Sequence, residues 1–161
     1  MAWSQAYPLL EEPLRYFEEN RDMVSASDAL VGFHGNYEVA ADLNRETNRS
    51  YDWIPDPRGR DVWGHDLPGD CENFALFKQR RLSRQHAFPL GALRVCVGSI
   101  PGRDENQRPI RVSHAVLLIR FDRGEYLFDN IMNVPYMLGE GIFRPSYRIG
   151  VGLTKEVWIR E

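Results

Sequence analysis

Gly69-Asp70-Cys71-Glu72-Asn73-Phe74-Ala75-Leu76-Phe77-Lys78-Gln79-Arg80-Arg81-Leu82 joins a loop to a helix and carries a cysteine at the junction. The residues before it, Ile54 to Asp70, hold three prolines and three glycines, which excludes a regular element. A loop that long inside a compact domain is usually functional. After Cys71, Phe74, Ala75, Lys78 and Leu82 recur at i, i+3/i+4 spacing, which predicts a helix from Cys71 to about Arg84. At a helix N-terminus the free N–H groups and the macrodipole favour an anion. A thiol placed there is expected to have a lowered pKa and to populate the thiolate, the nucleophilic form. The plainer alternative is a small buried apolar residue, but flanking Asp70 and Glu72 make a poor setting for a packing thiol.

Working outward, Pro13 reads as the first position of a helix, with Leu14 and Phe17 on one face. A short helical run is expected from Ser27 to Phe33. From Tyr37 onward Val39, Leu43, Thr47 and Tyr51 recur at i, i+4, with Ala40 widening the stripe, and predict a helix ending by Pro55. Beyond Pro89 the period changes to two. Leu93, Val95 and Val97 alternate with Arg94, Cys96 and Gly98 in a strand. Ser99 to Ile110 reads as a polar loop. Val112 to Phe121 reads as a buried strand that returns through a turn at Asp122-Arg123-Gly124 into Glu125 to Phe128. Val157, Trp158 and Ile159 suggest a last strand. Helices first and antiparallel strands after make an α+β fold.

The chain has 161 residues with 43% hydrophobic and 27% charged, which fits one globular domain over 1–161 and argues against disorder. A net charge of −3 offers no basic surface for nucleic acid. No apolar run approaches the roughly 20 residues of a membrane span. The N-terminal residues have no basic region and their apolar stretch breaks at Glu11, so no secretory leader is expected. That makes the location cytoplasmic by default, or periplasmic if a leader has been trimmed. Two cysteines exclude a disulfide framework and a cysteine zinc site.

A catalytic thiolate needs a base to move protons and a third group to orient that base. His34, His65 and His86 lie in turns or at a helix end and read as surface or structural. His114 opens the apolar run Ser113-His114-Ala115-Val116-Leu117-Leu118-Ile119, where a titratable ring must be paired or face a cleft. Asp129 ends the returning strand. With a two-residue turn at Arg123-Gly124, Asp129 pairs with Leu118, on the His114 face but roughly 13 Å along the strand. Direct contact then requires a bulge, an earlier turn or a chain bend. Cys96, mid-strand among apolar residues, reads as core.

GDCENFALFKQRRL at 69–82, SHAVLL at 113–118 and LFDN at 127–130 resemble the bacterial transglutaminase-like cysteine proteinases, a family that includes a periplasmic protease acting on biofilm adhesins. The likeness extends upstream to Asn44-Arg45, Asn48-Arg49 and Asp61-Val62-Trp63, and covers about residues 30–138. It implies a papain-like core with the cysteine helix packed on an antiparallel sheet. It also implies Cys71 as nucleophile, His114 as general base and acid, and Asp129 as orienter, in a cysteine peptidase acting on protein or peptide. The chemistry requires no cofactor. Acyl transfer or deamidation on the same site, and a non-catalytic calcium-responsive module, are the rival functions. The resemblance further implies calcium ligands at Asp70 and Glu72; helix-dipole complementarity accounts for the same two carboxylates without a metal. Asn73 stands where the family has a third carboxylate, with a neutral carbonyl to offer. Trp63 is either an oxyanion donor through its indole N–H or a loop anchor.

Overall fold

The computed structural model describes residues 2–25, 27–57 and 60–159. Arg58 and Gly59 of the expected loop lie outside them. The described residues form helices α1 (Glu11–Glu19), α2 (Asn36–Ser50) and α3 (Cys71–His86) and strands β1 (Ala2–Pro8), β2 (Leu93–Arg103), β3 (Pro109–Phe121), β4 (Gly124–Phe128), β5 (Tyr136–Met137), β6 (Arg144–Ile149) and β7 (Thr154–Ile159). The strands make one antiparallel sheet in the order β1-β7-β6-β2-β3-β4-β5. The α+β arrangement is the one the sequence pattern indicates.

The apolar stripe of α3 explains the packing. Ala75, Leu76 and Leu82 bury against Leu93, Val95, Ala115, Leu117 and Ile119 on one face of β2 and β3. The opposite face carries a smaller cluster of Cys96, Val116, Leu118, Leu127 and Phe143. Truncating a wholly buried leucine such as Leu76 or Leu117 costs about 2–5 kcal/mol, because lost transfer energy adds to an unfilled cavity.

The start of α3 is fixed by Asn73. Its Oδ1 accepts the Asp70 N–H at 3.2 Å and its Nδ2 donates to the Gly64 carbonyl at 2.9 Å. Gly69 permits this close approach, since a Cβ there would lie 2.6 Å from the Asn73 side chain. Both cysteines are free thiols.

Three expectations are corrected. Pro13 is the third residue of α1, still within the first turn, where an N–H has no intrahelical acceptor to lose. Ser27 to Phe33 is not a helix. The Val31 N–H donates to the Arg120 carbonyl and its own carbonyl accepts from Asp122 N–H, both at 2.9 Å, so the segment's backbone groups are spent on the end of β3. Ser99 to Ile110 is not a loop: β2 and β3 pair without interruption to Arg103↔Pro109, and only 104–108 turn. The arm is polar because Pro109 to Ser113 project into solvent. Strands β1, β5 and β6 carry no clean alternation and are found only by their pairing.

Candidate active site

The strand register decides where Asp129 falls. Phe121 pairs with Gly124 and Leu117 with Phe128, so the turn is Asp122-Arg123, one residue earlier than expected. Carried one step past the ladder, that register brings Asp129 to the level of Val116, two residues from His114 along β3. His114, Val116 and Leu118 share a face by alternation, and the His114 ring meets Phe143 edge-on at 6.2 Å. The result is a direct bond: His114 Nε2 and Asp129 Oδ1 are 2.6 Å apart, with side-chain exposures of 5% and 0%. Asp129 also accepts from the Tyr136 hydroxyl at 2.8 Å and the Ile131 N–H at 3.2 Å. Burial alone raises a carboxyl; here the bond and charge of His114, then Tyr136 and Ile131, outweigh it and hold Asp129 below its ordinary range.

Cys71 is the first residue of α3 and lines the same cleft as His114. The Ala115 backbone, next to His114, acts on the thiol from the sheet side. The thiol donates to Glu72 Oε2 at 3.1 Å, and no hydrogen bond joins it to the His114 ring. The lowered thiol pKa expected of a helix N-terminus is therefore reversed. Burial first, then the charge and hydrogen bond of Glu72, push the thiol up, against a smaller opposing effect from Ala115.

Acidic groups crowd Cys71. Carboxylate oxygens of Asp56, Asp70 and Glu72 lie within 4.8 Å of one another. Asp56 was not singled out from sequence. It arrives because the Ile54 N–H donates to the Gly69 carbonyl at 2.7 Å and Trp53 bridges Gly69, lashing the start of the loop to its end. Burial, then neighbouring carboxylates, raise the Asp70 and Glu72 carboxyls, even against the bonds that each accepts. Asp70 Oδ1 is buried with no hydrogen-bond partner. Three converging carboxylates with an unsatisfied oxygen are a donor set suited to a hard cation. The Asn73 carbonyl oxygen accepts the Asp70 N–H beside this cluster.

The cleft has a volume of about 740 Å³, with Leu10, Trp53, Pro57, Val97 and Tyr147 among its walls. Trp63 also lines it, 5% exposed, with its indole N–H donating to Asp61 Oδ2 at 3.2 Å and its carbonyl accepting from Arg15 at 2.8 Å. His65 bonds the Tyr16 hydroxyl at 3.1 Å, and His34 and His86 are exposed. Cys96 is wholly buried in the second cluster.

A cysteine at a helix start shares a cleft with a histidine–aspartate pair on an antiparallel sheet, an α+β arrangement consistent with a transglutaminase-like cysteine proteinase. Residues 18–137 match the family described as bacterial transglutaminase-like cysteine proteinase, BTLCP, and the chain belongs to that family. No curated protein and no solved structure matches the chain. No helix among the described residues is long and apolar enough to cross a membrane.

Proposed function

We propose that the protein hydrolyses peptide bonds through a thioester on Cys71. His114 takes the thiol proton through Nδ1, since Nε2 is committed to Asp129. The sulfur then bonds the scissile carbonyl carbon, and the C–N bond breaks as His114 returns the proton to the leaving amine. Water, deprotonated by His114, hydrolyses the thioester and frees Cys71. Asp129 fixes the imidazole's tautomer and orientation and supports its charge. The Cys71 backbone N–H, and the Trp63 indole once released from Asp61, serve the oxyanion. The observation that carries this reading is the buried 2.6 Å His114–Asp129 bond in the cleft that Cys71 lines.

Asp56, Asp70 and Glu72 are proposed to hold calcium. The ion would supply the positive charge that these carboxylates lack. The chain's own contribution is to lash Asp56 against Asp70 and to place Glu72 between that cluster and the thiol. The Cys71–Glu72 bond is also the one observation favouring a second reading, a calcium-responsive binding module without turnover.

The test is a proteome-derived peptide library incubated in calcium, with and without a labelled primary amine, and read by mass spectrometry. New peptide termini that vanish with Cys71→Ala and His114→Ala support hydrolysis. Amine incorporation or deamidated glutamine in their place would make the protein a transferase or deamidase on the same site. Equal cleavage by Cys71→Ala sinks the assignment.

A further inference from the structure

Lys78 is 1% exposed, on the second turn of α3 and within the apolar stripe. Its hydrogen-bond partners are two neutral amides: Nζ donates to Asn44 Oδ1 at 2.8 Å and to Asn48 Oδ1 at 2.9 Å. Those asparagines stand one helical turn apart on α2, and each uses its other end on the chain that follows β4. Asn48 Nδ2 donates to the Asp129 carbonyl at 2.8 Å, and Asn44 Nδ2 to the Met132 carbonyl at 3.0 Å. This is the segment that needs holding. Sheet pairing ends at Phe128 and resumes only at Tyr136, so no ladder bond fixes the backbone of Asp129.

We propose that Lys78, Asn44 and Asn48 are positioning residues that hold the Asp129–Asn133 segment, and through it keep the Asp129 carboxylate on His114. The proposal rests on the catalytic reading above. The physical reason is directional. An asparagine amide presents an acceptor and a donor that exchange places when it flips. A lysine offers donors only, so it turns both Oδ1 atoms inward and leaves both Nδ2 groups facing the carbonyls of 129 and 132. Without it, a flipped amide sets oxygen against oxygen and the segment loses its anchor. An apolar residue would fill this interior at no desolvation cost, and a buried amine is retained where it specifies one arrangement over another. Burial pushes Lys78 down to about 7, with Asp129 the charge that opposes the shift. As the ammonium it offers donors only; as the neutral amine it still has two N–H donors for the two amides.

Two variants separate positioning from bulk stability. Lys78→Met keeps the length and removes a buried polar group. Asn48→Asp keeps a partner for Lys78 but removes the donor to the Asp129 carbonyl. Each is examined with the full chain in calcium, by thermal midpoint, by kcat and KM on a library peptide, and by the downfield proton signal of His114 Nε2–H. That signal is identified by its loss in His114→Ala. The expected result is a fall in kcat of at least tenfold with KM within twofold, a displaced or broadened His114 signal, and a Lys78→Met midpoint no lower than wild type. Unchanged kcat and an unmoved signal in either folded variant overturn the proposal. If one variant does not fold, the other decides. Turnover that survives Cys71→Ala would instead mean the catalytic reading has failed; the His114 signal needs no turnover and still decides the positioning.

Discussion

Asp129 and Glu72 are both buried carboxylates of one site, and their surroundings drive them in opposite directions. Asp129 has an imidazole, a phenol and a backbone N–H around it, and its carboxyl is held below the ordinary range. Glu72 accepts from the Cys71 thiol, faces Asp70 and Asp61, and its carboxyl is pushed up. Burial is similar; partner count and sign decide. The His114 half of the site is electrostatically complete, while in the Cys71 half Asp56, Asp70 and Glu72 converge without an ion pair among the described residues.

The largest effects remove the central group of either half. Cys71→Ala and His114→Ala should abolish turnover with the fold intact, as checked by circular dichroism beside the peptide assay. Asp129→Asn should leave a small residue, down by roughly 10²–10⁴, because nucleophile and base remain while orientation degrades. The incomplete half is sharpened by calcium. Calorimetric titration should show binding with a raised melting temperature, and Glu72→Gln should remove that rise. Glu72→Gln should also raise the metal-free midpoint by a few degrees, since about 1 kcal/mol of relieved repulsion moves a domain of this size by roughly 2–8 °C. No heat and no shift in wild type would leave these residues as helix-end carboxylates.

Smaller effects follow from pH and packing. Lys78 titrates at about 7 in the fold and near 10.4 when unfolded. Between those values the unfolded chain binds more protons, so this group makes stability rise with pH from about 7 upward, by at most about 1.4 kcal/mol per pH unit. Below 7 it contributes no slope. Denaturant midpoints at pH 7, 8 and 9 should climb in wild type relative to Lys78→Met. Asp129 gives a slope of the same sign in a lower window: its stabilisation is full above about pH 4 and is lost as pH falls through its lowered folded value. Least affected should be Cys96→Ser, which keeps catalysis and costs roughly 1–3 kcal/mol for a hydroxyl buried among Val116, Leu118 and Phe143. A loss of turnover there with none at Cys71 would reverse the two thiols.

The helices and the central hairpin were legible because their periods are clean: α2 and α3 bury the stripes that the spacing marks. The pairing of His114 with Asp129 was legible as a juxtaposition but not as a distance, since moving one turn by one residue changes the level at which Asp129 arrives. Ser27 to Phe33 was misread because its hydrogen bonds are made with residues nearly ninety positions away, which no local window samples. Asp56 was hidden for the same reason, being brought in by a loop closing on itself. Lys78 carried a signal that went unused: a lysine at a stripe position between Phe74, Ala75 and Leu82 must either snorkel or find buried partners. Asn44 and Asn48, one turn apart on the helix before it, were the partners.

The Asp122-Arg123 turn gives the fold an uneven tolerance of insertions and deletions. One residue added there would send Asp129 to the opposite side of the sheet from His114. Two would restore the side but displace it by about 6–7 Å. The tip at 104–108 joins two strand ends that already stand in solvent, so the same insertions there leave the spacing of His114 and Asp129 untouched. Natural length variation in relatives of this chain should therefore collect at the tip of the arm and be purged from the tight turn.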